Sequence, residues 1–435
     1  MTTTPPAAEA APKTPKARPG RRIVIGLDGT WNNAFKETQR LDGHTVLKPS
    51  NVLKLCRAVL PVDPVSGRTQ ITYYDVGVGG LASYPGFANQ LLRRTDRFLG
   101  GIHGAGFEEN AESALHFLAL NLEKGDEVFI FGFSRGAATS RAVTRFIEWA
   151  GGLPTKDDSY YLPRLFREFV RSRATTKIST ELDAINKDKP EEKRLRLAPV
   201  NVRLLGVFDT VMALGFRALA RGSATSGKAQ AFYAGERPAT CVAHARQALA
   251  IDERRFDFRP EIWRAAHPHQ TIEQRWFPGA HVNIGGGYTE DGLGNLALEW
   301  MLKEVAALKD GIAFDQEYLG FYRPWSGHPV NQSETVWYKI GDAARLRFGK
   351  GRRQLLKADQ AVAAGQKLDK SVIRRMQLDP TDLTDTDEPY RPQNVIDHLA
   401  RQPDLPAYID QLKLDPKHPD LPPDVLERIE AARRA

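Results

Sequence analysis

The segment 127–149 constrains the fold most strongly, because it has the pattern of a buried strand, a sharp turn and a helix. The strand-like run Val128-Phe129-Ile130-Phe131 leads into Gly132-Phe133-Ser134-Arg135-Gly136, and helix-forming residues follow. This is the G-x-S-x-G motif in the context that exposes a serine above a sheet. The flanking glycines allow close backbone passage, and the helix N-terminus favours developing negative charge. We predict that Ser134 is a nucleophile and that the backbone N–H of Arg135 is an oxyanion donor. A tightly packed strand-to-helix turn is the alternative.

Composition indicates a soluble globular protein with one elaborate domain or two. The chain has 435 residues, of which 41% are hydrophobic and 26% charged,. No apolar run has the length of a bilayer-spanning helix. Two cysteines, Cys56 and Cys241, are too few for a disulfide framework, which favours synthesis in a reducing compartment,.

Changes in composition along the chain predict three regions. Residues 1–21 are rich in Thr, Pro and Ala with scattered basic residues and no apolar core, so we predict a disordered basic leader rather than a secretory signal,. Residues 22–308 are predicted to form the catalytic domain, with 153–198 as a charged insertion or cap. Residues 309–435 are predicted to be a C-terminal accessory region of short strands and helices. Its basic run 345–353 is interpreted as solvated surface, with a lipid or phosphate contact as the alternative,.

The net charge excludes little by itself. A formal charge of +8 suits an acidic partner surface such as anionic lipid or nucleic acid and does not choose between them,. We find no zinc-finger spacing, RNP-like aromatic pair or basic heptads, so no nucleic-acid partner is predicted.

The first apolar run, Ile23-Val24-Ile25-Gly26-Leu27, is typical of a central parallel strand,. The turn Asp28-Gly29-Thr30-Trp31 follows it. An aspartyl-phosphate phosphatase needs a second carboxylate two positions from its nucleophilic aspartate. Gly26 and Thr30 occupy those positions on either side of Asp28, so this class of enzyme is excluded. A loop after an early strand supplies the second oxyanion N–H in α/β-hydrolases, so we expect Gly29 and Thr30 near the site. A tight turn capped by Asp28 is the alternative.

An acid and a base follow later strands. Asp209 ends the buried run that begins at Asn201, and His281 follows a strand that runs from Gln274 and precedes Gly285-Gly286-Gly287. The order serine, acid, histidine is that of α/β-hydrolases. A histidine beside flexible backbone at a strand end suits a general base. Asp252 and Asp291 remain alternatives for the acid.

Other features carry no catalytic prediction. Residues 240–255 are predicted to form a helix in which His244 is structural. The loop Gly77-Val78-Gly79-Gly80-Leu81-Ala82 lacks the helix that a dinucleotide fingerprint requires,. His103, His267 and His269 lie in predicted turns without metal-ligand spacing, so neither a metal nor a cofactor is predicted.

Five segments resemble successive motifs of one family. They are Asp28-Gly29-Thr30-Trp31-Asn32, Gly132-Phe133-Ser134-Arg135-Gly136-Ala137, Phe208-Asp209-Thr210-Val211, Ala248-Leu249-Ala250-Ile251-Asp252-Glu253-Arg254-Arg255, and Trp276-Phe277-Pro278-Gly279-Ala280-His281 with the glycines up to Tyr288. The chain is similar to the DUF2235 family of bacterial and fungal α/β-hydrolases, which includes type VI secretion phospholipase effectors of the Tle1 kind.

The resemblance implies an α/β-hydrolase fold, with a mostly parallel sheet and helices on both faces, and a triad carried onto Ser134, Asp209 and His281. Asp28, Trp31, Gly132, Gly136, Asn283, Gly285 and Gly286 are the residues expected to line the site. For the effector members it also implies phospholipase A activity. The chain departs from the family at one position: two residues after the histidine, where the family often has Asp, this chain has Asn283.

The sequence therefore predicts a serine esterase of phospholipase type, with a lipid or other acyl ester as substrate and contact with a membrane surface. Synthesis is cytoplasmic, and export by a type VI apparatus needs no signal peptide. Secretion-spike and immunity proteins are the partners that the resemblance implies. Two alternatives remain: a housekeeping esterase or thioesterase acting on other acyl esters, and a non-catalytic binding protein on the same fold.

Overall fold

A parallel β-sheet forms the centre of the protein. In the computed structural model, the described residues are 20–29, 37–39, 45–77, 105–211, 235–255, 258–331, 353, 355, 364–384, 386–414 and 420–434. The strands are β1 (Arg22–Leu27), β2 (Glu37–Gln39), β3 (Thr45–Leu47), β4 (Gln70–Asp75), β5 (Glu127–Phe133), β6 (Leu153–Pro154), β7 (Leu197–Ala198), β8 (Val202–Phe208), β9 (Val242–Ala250), β10 (Thr271–Phe277) and β11 (Gln366–Leu368).

Seven of these strands form the central sheet in the order β11-β10-β9-β8-β5-β1-β4. Every neighbouring pair in it is parallel. The strand order reverses between β1 and β5, since β4 is added on one side of β1 and all later strands on the other. The carboxyl ends of strands at such a switch point are where open α/β sheets bind ligands. Leu27 and Phe133, the last residues of β1 and β5, therefore mark the expected edge for a site.

Helices cover the sheet. The α-helices are α1 (Asn51–Ala58), α2 (Ala105–Asn121), α3 (Arg135–Ala150), α4 (Leu162–Ser172), α5 (Ile178–Asn186), α6 (His281–Gly285), α7 (Gly292–Ala306), α8 (Gln316–Leu319), α9 (Lys370–Gln377), α10 (Gln393–Ala400), α11 (Leu405–Gln411) and α12 (Pro423–Arg434). Short 3₁₀ helices span Lys156–Tyr161, Glu191–Lys193 and Pro380–Asp382.

Alternate side chains along the central strands point to opposite faces of the sheet and pack into two hydrophobic cores. Ile23 and Ile25 of β1 face one core with α2 and α3, while Val24 faces the other with α1 and α7. Both faces are buried, which explains why β1 is a continuous apolar run. A third core lies at the edge of the sheet formed by β10 and β11. It joins Trp276 and Leu368 to the C-terminal helices α9, α10 and α12. The fold is an α/β-hydrolase-like sheet with helices on both faces, as predicted. The described part of the C-terminal region is mostly helical.

The helix predicted over 240–255 is wrong, because Val242–Ala250 is strand β9. The segment VAHARQALA is rich in residues that favour helices. Here it lies between β8 and β10 and makes a full parallel ladder with each. Tertiary context has overridden a weak local preference.

The insertion 153–198 packs against the C-terminal end of α3, which is called the elbow helix below because it follows the turn at Ser134. Its base is closed by the antiparallel pair β6 and β7. Phe169 of α4 contacts Phe146 and Trp149 of α3, with ring centroids 5.4 and 5.6 Å apart. Ser134 lies at the opposite end of α3, so these contacts do not make the insertion a cap over the serine.

No helix among the described residues is both long enough and apolar enough to cross a bilayer.

Candidate active site

Ser134 occupies a strained turn between β5 and α3. Its backbone has φ 56° and ψ −121°, a region that side-chain-bearing residues rarely adopt,. Its N–H donates to the carbonyl of Phe208 at 3.1 Å, which ties the turn to the end of β8. Such strain persists only where the surroundings hold it, and it is the geometry of a nucleophile elbow.

The glycines on either side of Ser134 are required by packing. A Cβ atom on Gly132 would meet the Gly136 carbonyl oxygen at 2.6 Å, and one on Gly136 would overlap the carbonyl oxygens of Leu27 and Asp28. Gly136 therefore allows the first turn of α3 to rest directly on the end of β1. This packing brings the β1 loop beside Ser134.

The structure brings Ser134, His281 and Asp209 into one hydrogen-bonded chain. His281 Nε2 lies 2.7 Å from Ser134 Oγ, and His281 Nδ1 lies 2.6 Å from Asp209 Oδ2. An ionised carboxylate only accepts hydrogen bonds, so Nδ1 carries the proton and Nε2 accepts from the serine hydroxyl. All three residues are buried, with Ser134 the most exposed at 7%.

Asp209 lies directly after β8 in a left-handed conformation, with φ 45°. Its N–H donates to Ala248, and Oδ1 accepts from the N–H of Ala250 at 3.1 Å. Arg353 adds a bidentate pair, through Nη1 to Oδ1 and through Nη2 to Oδ2 at 2.8 Å. Burial favours a higher pKa for Asp209, but the charge of Arg353 and hydrogen bonds from His281 and Arg353 outweigh it and lower the pKa to about 2,.

Arg353 was missed by the sequence reasoning, which assigned its basic run to solvated surface. It is 6% exposed, and its guanidinium also donates to the carbonyls of Ala250 and Phe258 at 3.0 and 2.6 Å. The other residues of that run lie outside the described part of the chain. The available signal is the apolar pair Leu355-Leu356 just after Arg353, which is atypical of solvated surface, and Leu355 is buried in the third core.

The two alternative acids have other partners. Asp252 accepts from the N–H of Gly279 at 2.7 Å and from the Tyr390 hydroxyl at 2.8 Å, and burial raises its pKa. Asp291 accepts from Lys54 at 2.7 Å. Of the three carboxylates, Asp209 is the one hydrogen-bonded to the His281 ring.

Aromatic rings and a second ion pair hold His281 in place. Phe133 and Phe258 pack against its ring, with centroids 4.8 and 5.0 Å away. Its backbone N–H donates to Glu253 at 3.3 Å. Burial favours a higher pKa for Glu253, but the hydrogen bond and charge of Arg255 outweigh it and lower that pKa.

The β1 loop is held by Asp28, which is buried. Its carboxylate accepts from Ser50 at 2.5 Å, from the Tyr74 hydroxyl at 2.6 Å and from the N–H of Gly29 at 2.6 Å. The Gly29 N–H therefore points to Asp28 rather than toward an incoming oxyanion. Thr30 and Trp31 lie outside the described residues.

The residue after Ser134 is also largely buried. Burial lowers the pKa of the Arg135 guanidinium to about 10.

The residues after His281 stabilise the short helix α6 and allow it to pack closely on its neighbours. Asn283 Oδ1 accepts from the N–H groups of Ala280 and Asn331, and its Nδ2 donates to Pro329 at 3.2 Å. A Cβ on Gly285 would overlap the Phe133 ring. Gly286, with φ 80°, passes close to Asn51, where a Cβ would lie 2.8 Å from the backbone nitrogen.

The described histidines that the sequence analysis considered besides His281 make contacts elsewhere. His244 lies on β9, not in a helix, and its Nδ1 is 2.8 Å from Thr271 Oγ1. The rings of His267 and His269 stack on each other, and His103 lies outside the described residues. Within the described ranges, no group of three or more His, Cys, Asp or Glu side chains is arranged to hold a metal ion.

Comparison with known proteins identifies one family. Residues 21–304 match the model described as "T6SS, Phospholipase effector Tle1-like, catalytic domain". The matched range includes Ser134, Asp209 and His281 and ends before Arg353.

Individual relatives are distant. An uncharacterized protein of Saccharomyces cerevisiae, YEL023C, is 25% identical over 245 residues, which cover 55% of this chain and 32% of the yeast protein. The matched part of this chain thus spans about a third of that relative. Among solved structures, an uncharacterized protein from Pseudomonas aeruginosa matches with a TM-score of 0.40 and 15% identity over 95% of this chain and 62% of its own. The Tle1 effector bound to the VgrG spike matches with a TM-score of 0.32 and 20% identity over 63% and 52%.

Proposed function

Because the chain belongs to the Tle1-like family of type VI secretion phospholipase effectors, we propose that it is a serine hydrolase that cleaves the carboxylic esters of phospholipids. The observation that supports this most is the hydrogen-bonded chain from Ser134 Oγ through the His281 ring to Asp209. A nucleophile, a base that takes its proton and an acid that fixes the base are the requirements of acyl transfer.

The first step forms an acyl-enzyme. His281 Nε2 takes the hydroxyl proton of Ser134 while Oγ attacks the ester carbonyl carbon. The tetrahedral intermediate collapses, the C–O bond to the glycerol oxygen breaks, and the imidazolium returns its proton to that oxygen. Water then attacks the acyl-enzyme with His281 again as base, which releases the fatty acid and regenerates the serine.

The oxyanion is stabilised at the N-terminus of α3. The backbone N–H of Arg135 follows the nucleophile, which is the usual position of one donor in this fold. The Gly29–Thr30 loop is proposed to supply the second donor. The Gly29 N–H would have to leave Asp28 to do so, because it donates there now.

The lipid substrate is supported by the family and by charge. A serine that accepts an acyl group suits cleavage of an acyl ester, which is phospholipase A chemistry, rather than cleavage at the phosphate. The formal net charge of +8 favours peripheral contact with an anionic membrane surface,.

We propose that the protein reaches its substrate as a type VI secretion effector. A secretion spike would carry it without a signal peptide, and an immunity protein would bind it in the producing cell. Survival of unprotected recipient bacteria should fall only when the donor has both an intact apparatus and wild-type Ser134. Equal survival with and without the apparatus would reject this route.

The direct test is release of fatty acid from mixed phospholipid vesicles. Wild-type protein should release fatty acid, and Ser134→Ala should reduce the rate to background because no other group replaces the nucleophile. Ser140→Ala is the matched control, since Ser140 lies on the same helix and donates to Gly136 without touching the cluster. It should keep activity within about twofold of wild type.

The outcomes separate the alternatives. Hydrolysis of soluble short-chain esters without release from vesicles would reject the lipid substrate and keep the serine hydrolase. Turnover that survives in Ser134→Ala would reject the nucleophile.

A further inference from the structure

Arg353 completes the environment of Asp209 from outside the range that the family model matches. It lies 144 residues after Asp209 in the chain. Its two terminal nitrogens each donate to a different oxygen of Asp209, which is the rigid fork geometry of a bidentate pair,. The carboxylate thus receives these bonds together with those from Ala250 and His281.

Arg353 is itself held firmly. Its guanidinium donates to the carbonyls of Ala250 and Phe258, which flank the site. Its own carbonyl accepts from Asn394 Nδ2 at 3.0 Å, and the same amide reaches the Ile251 carbonyl at 3.2 Å. The first turn of α10 therefore fixes Arg353 against the end of β9. A fork held at both ends prevents the Asp209 carboxylate from rotating away from His281 Nδ1.

The charge of Arg353 also acts on the pair of Asp209 and His281. Without it, the buried pair of ionised Asp209 and neutral His281 carries a net negative charge. With it, the three groups are neutral together, and the guanidinium lowers the pKa of the Asp209 carboxyl,. Glu253 accepts from the His281 N–H and forms an ion pair with Arg255 at 2.8 Å, so the charges of these two neighbours offset each other.

We propose that Arg353 is a positioning residue of the active site, which fixes the Asp209 carboxylate toward His281 and extends the reactivity of Ser134 to lower pH. This inference rests on the proposed hydrolase function. It assigns part of the site to the C-terminal region and makes that region necessary for full activity.

The test measures how fast a fluorophosphonate probe labels Ser134 between about pH 5 and pH 9, a readout that does not depend on the lipid. In Arg353→Met, the acid limb of the rate profile should move up by roughly one pH unit, because the pair takes up its proton more readily. Arg353→Lys keeps the charge but loses the fork, so its acid limb should stay near wild type while the plateau rate falls about tenfold.

Arg22→Met is the matched control. Arg22 is also buried and pairs with Asp63 at 2.8 Å at the opposite end of the strands. It should lower the melting temperature as Arg353→Met does, but leave the acid limb in place.

Each outcome is decisive. An acid limb unchanged in folded Arg353→Met, or moved equally in Arg22→Met, would overturn the proposal. If Arg353→Met does not fold, Arg353→Lys with a wild-type plateau would overturn the positioning role. Absence of labelling in the wild-type protein would instead reject the hydrolase function itself.

Discussion

Gly136 rests on the carbonyl oxygen of Leu27, so that the first turn of the elbow helix and the end of β1 meet through backbone alone. The place of Ser134 relative to the β1 loop depends on this contact. In Gly136→Ala the methyl group would overlap that oxygen and force the two apart. We expect the rate of fatty-acid release to fall about 100-fold, as small displacements of reacting groups do.

The control lies at the other end of the same helix. Gly151 has φ 74°, and a Cβ there would meet nothing within 4 Å. Gly151→Ala should cost roughly 1 kcal/mol of unfolding free energy from backbone strain and leave the activity of the folded protein unchanged. Wild-type activity in Gly136→Ala would show that the contact does not position the serine.

Asp209→Asn should lower kcat/KM by about a thousandfold or more, because an amide stabilises the wrong tautomer of His281. Asp252→Asn and Asp291→Asn each remove a partly buried carboxylate that the structure bonds elsewhere, and they should stay within about tenfold of wild type. Steady-state kinetics on a soluble ester, normalised to folded protein, makes the comparison. A larger loss in either control than in Asp209→Asn would transfer the role to that residue.

Stability should depend on acid pH through Asp209. Its pKa is lowered from 3.8 to about 2, so the folded state prefers the ionised form. The resulting stabilisation is fully present above about pH 4 and is lost as pH falls through about pH 2, and the shift corresponds to roughly 2 kcal/mol. Urea unfolding of wild type and Asp209→Asn at a series of acid pH values measures this. The gap in unfolding free energy between the two proteins should narrow across that window, and a constant gap would contradict the assignment.

Asn283→Asp restores the residue frequent in the family and should nevertheless destabilise this protein. The amide of Asn283 donates to the Pro329 carbonyl, whereas an aspartate would place two acceptors against each other. The expected loss is about 1–3 kcal/mol, visible as a lower melting temperature. Asn283→Ala, which removes both roles of the side chain, provides the comparison: an aspartate variant as stable as wild type would mean that the Pro329 contact contributes little.

Local patterns were enough to predict much of this molecule. The run before Ser134, the glycines around it and the position of His281 after a strand each depend on a few neighbouring residues. The structure brings together the three side chains that those patterns selected, and their catalytic role remains a prediction.

What the sequence could not predict depends on contacts between distant segments. Residues 242–250 have helix-forming composition and become a strand because β8 and β10 flank them. Strand β11 has three residues, too few for any periodicity, and exists because it pairs with β10. Arg353 looked like a surface cation, since nothing near it in sequence indicates the carboxylate that it meets.

Because the chain is synthesised from its N-terminus, Arg353 is made after the side chains that it supports. A ribosome finishes the serine, the acid and the histidine by residue 281, when neither the arginine fork nor the edge strand has yet been made. Domains of a growing chain generally fold as units, those nearer the N-terminus first. There is a stage of synthesis at which Ser134, Asp209 and His281 are all present in the chain and Arg353 is not. Arg353, which completes the surroundings of Asp209, is therefore added after the three side chains of the candidate site.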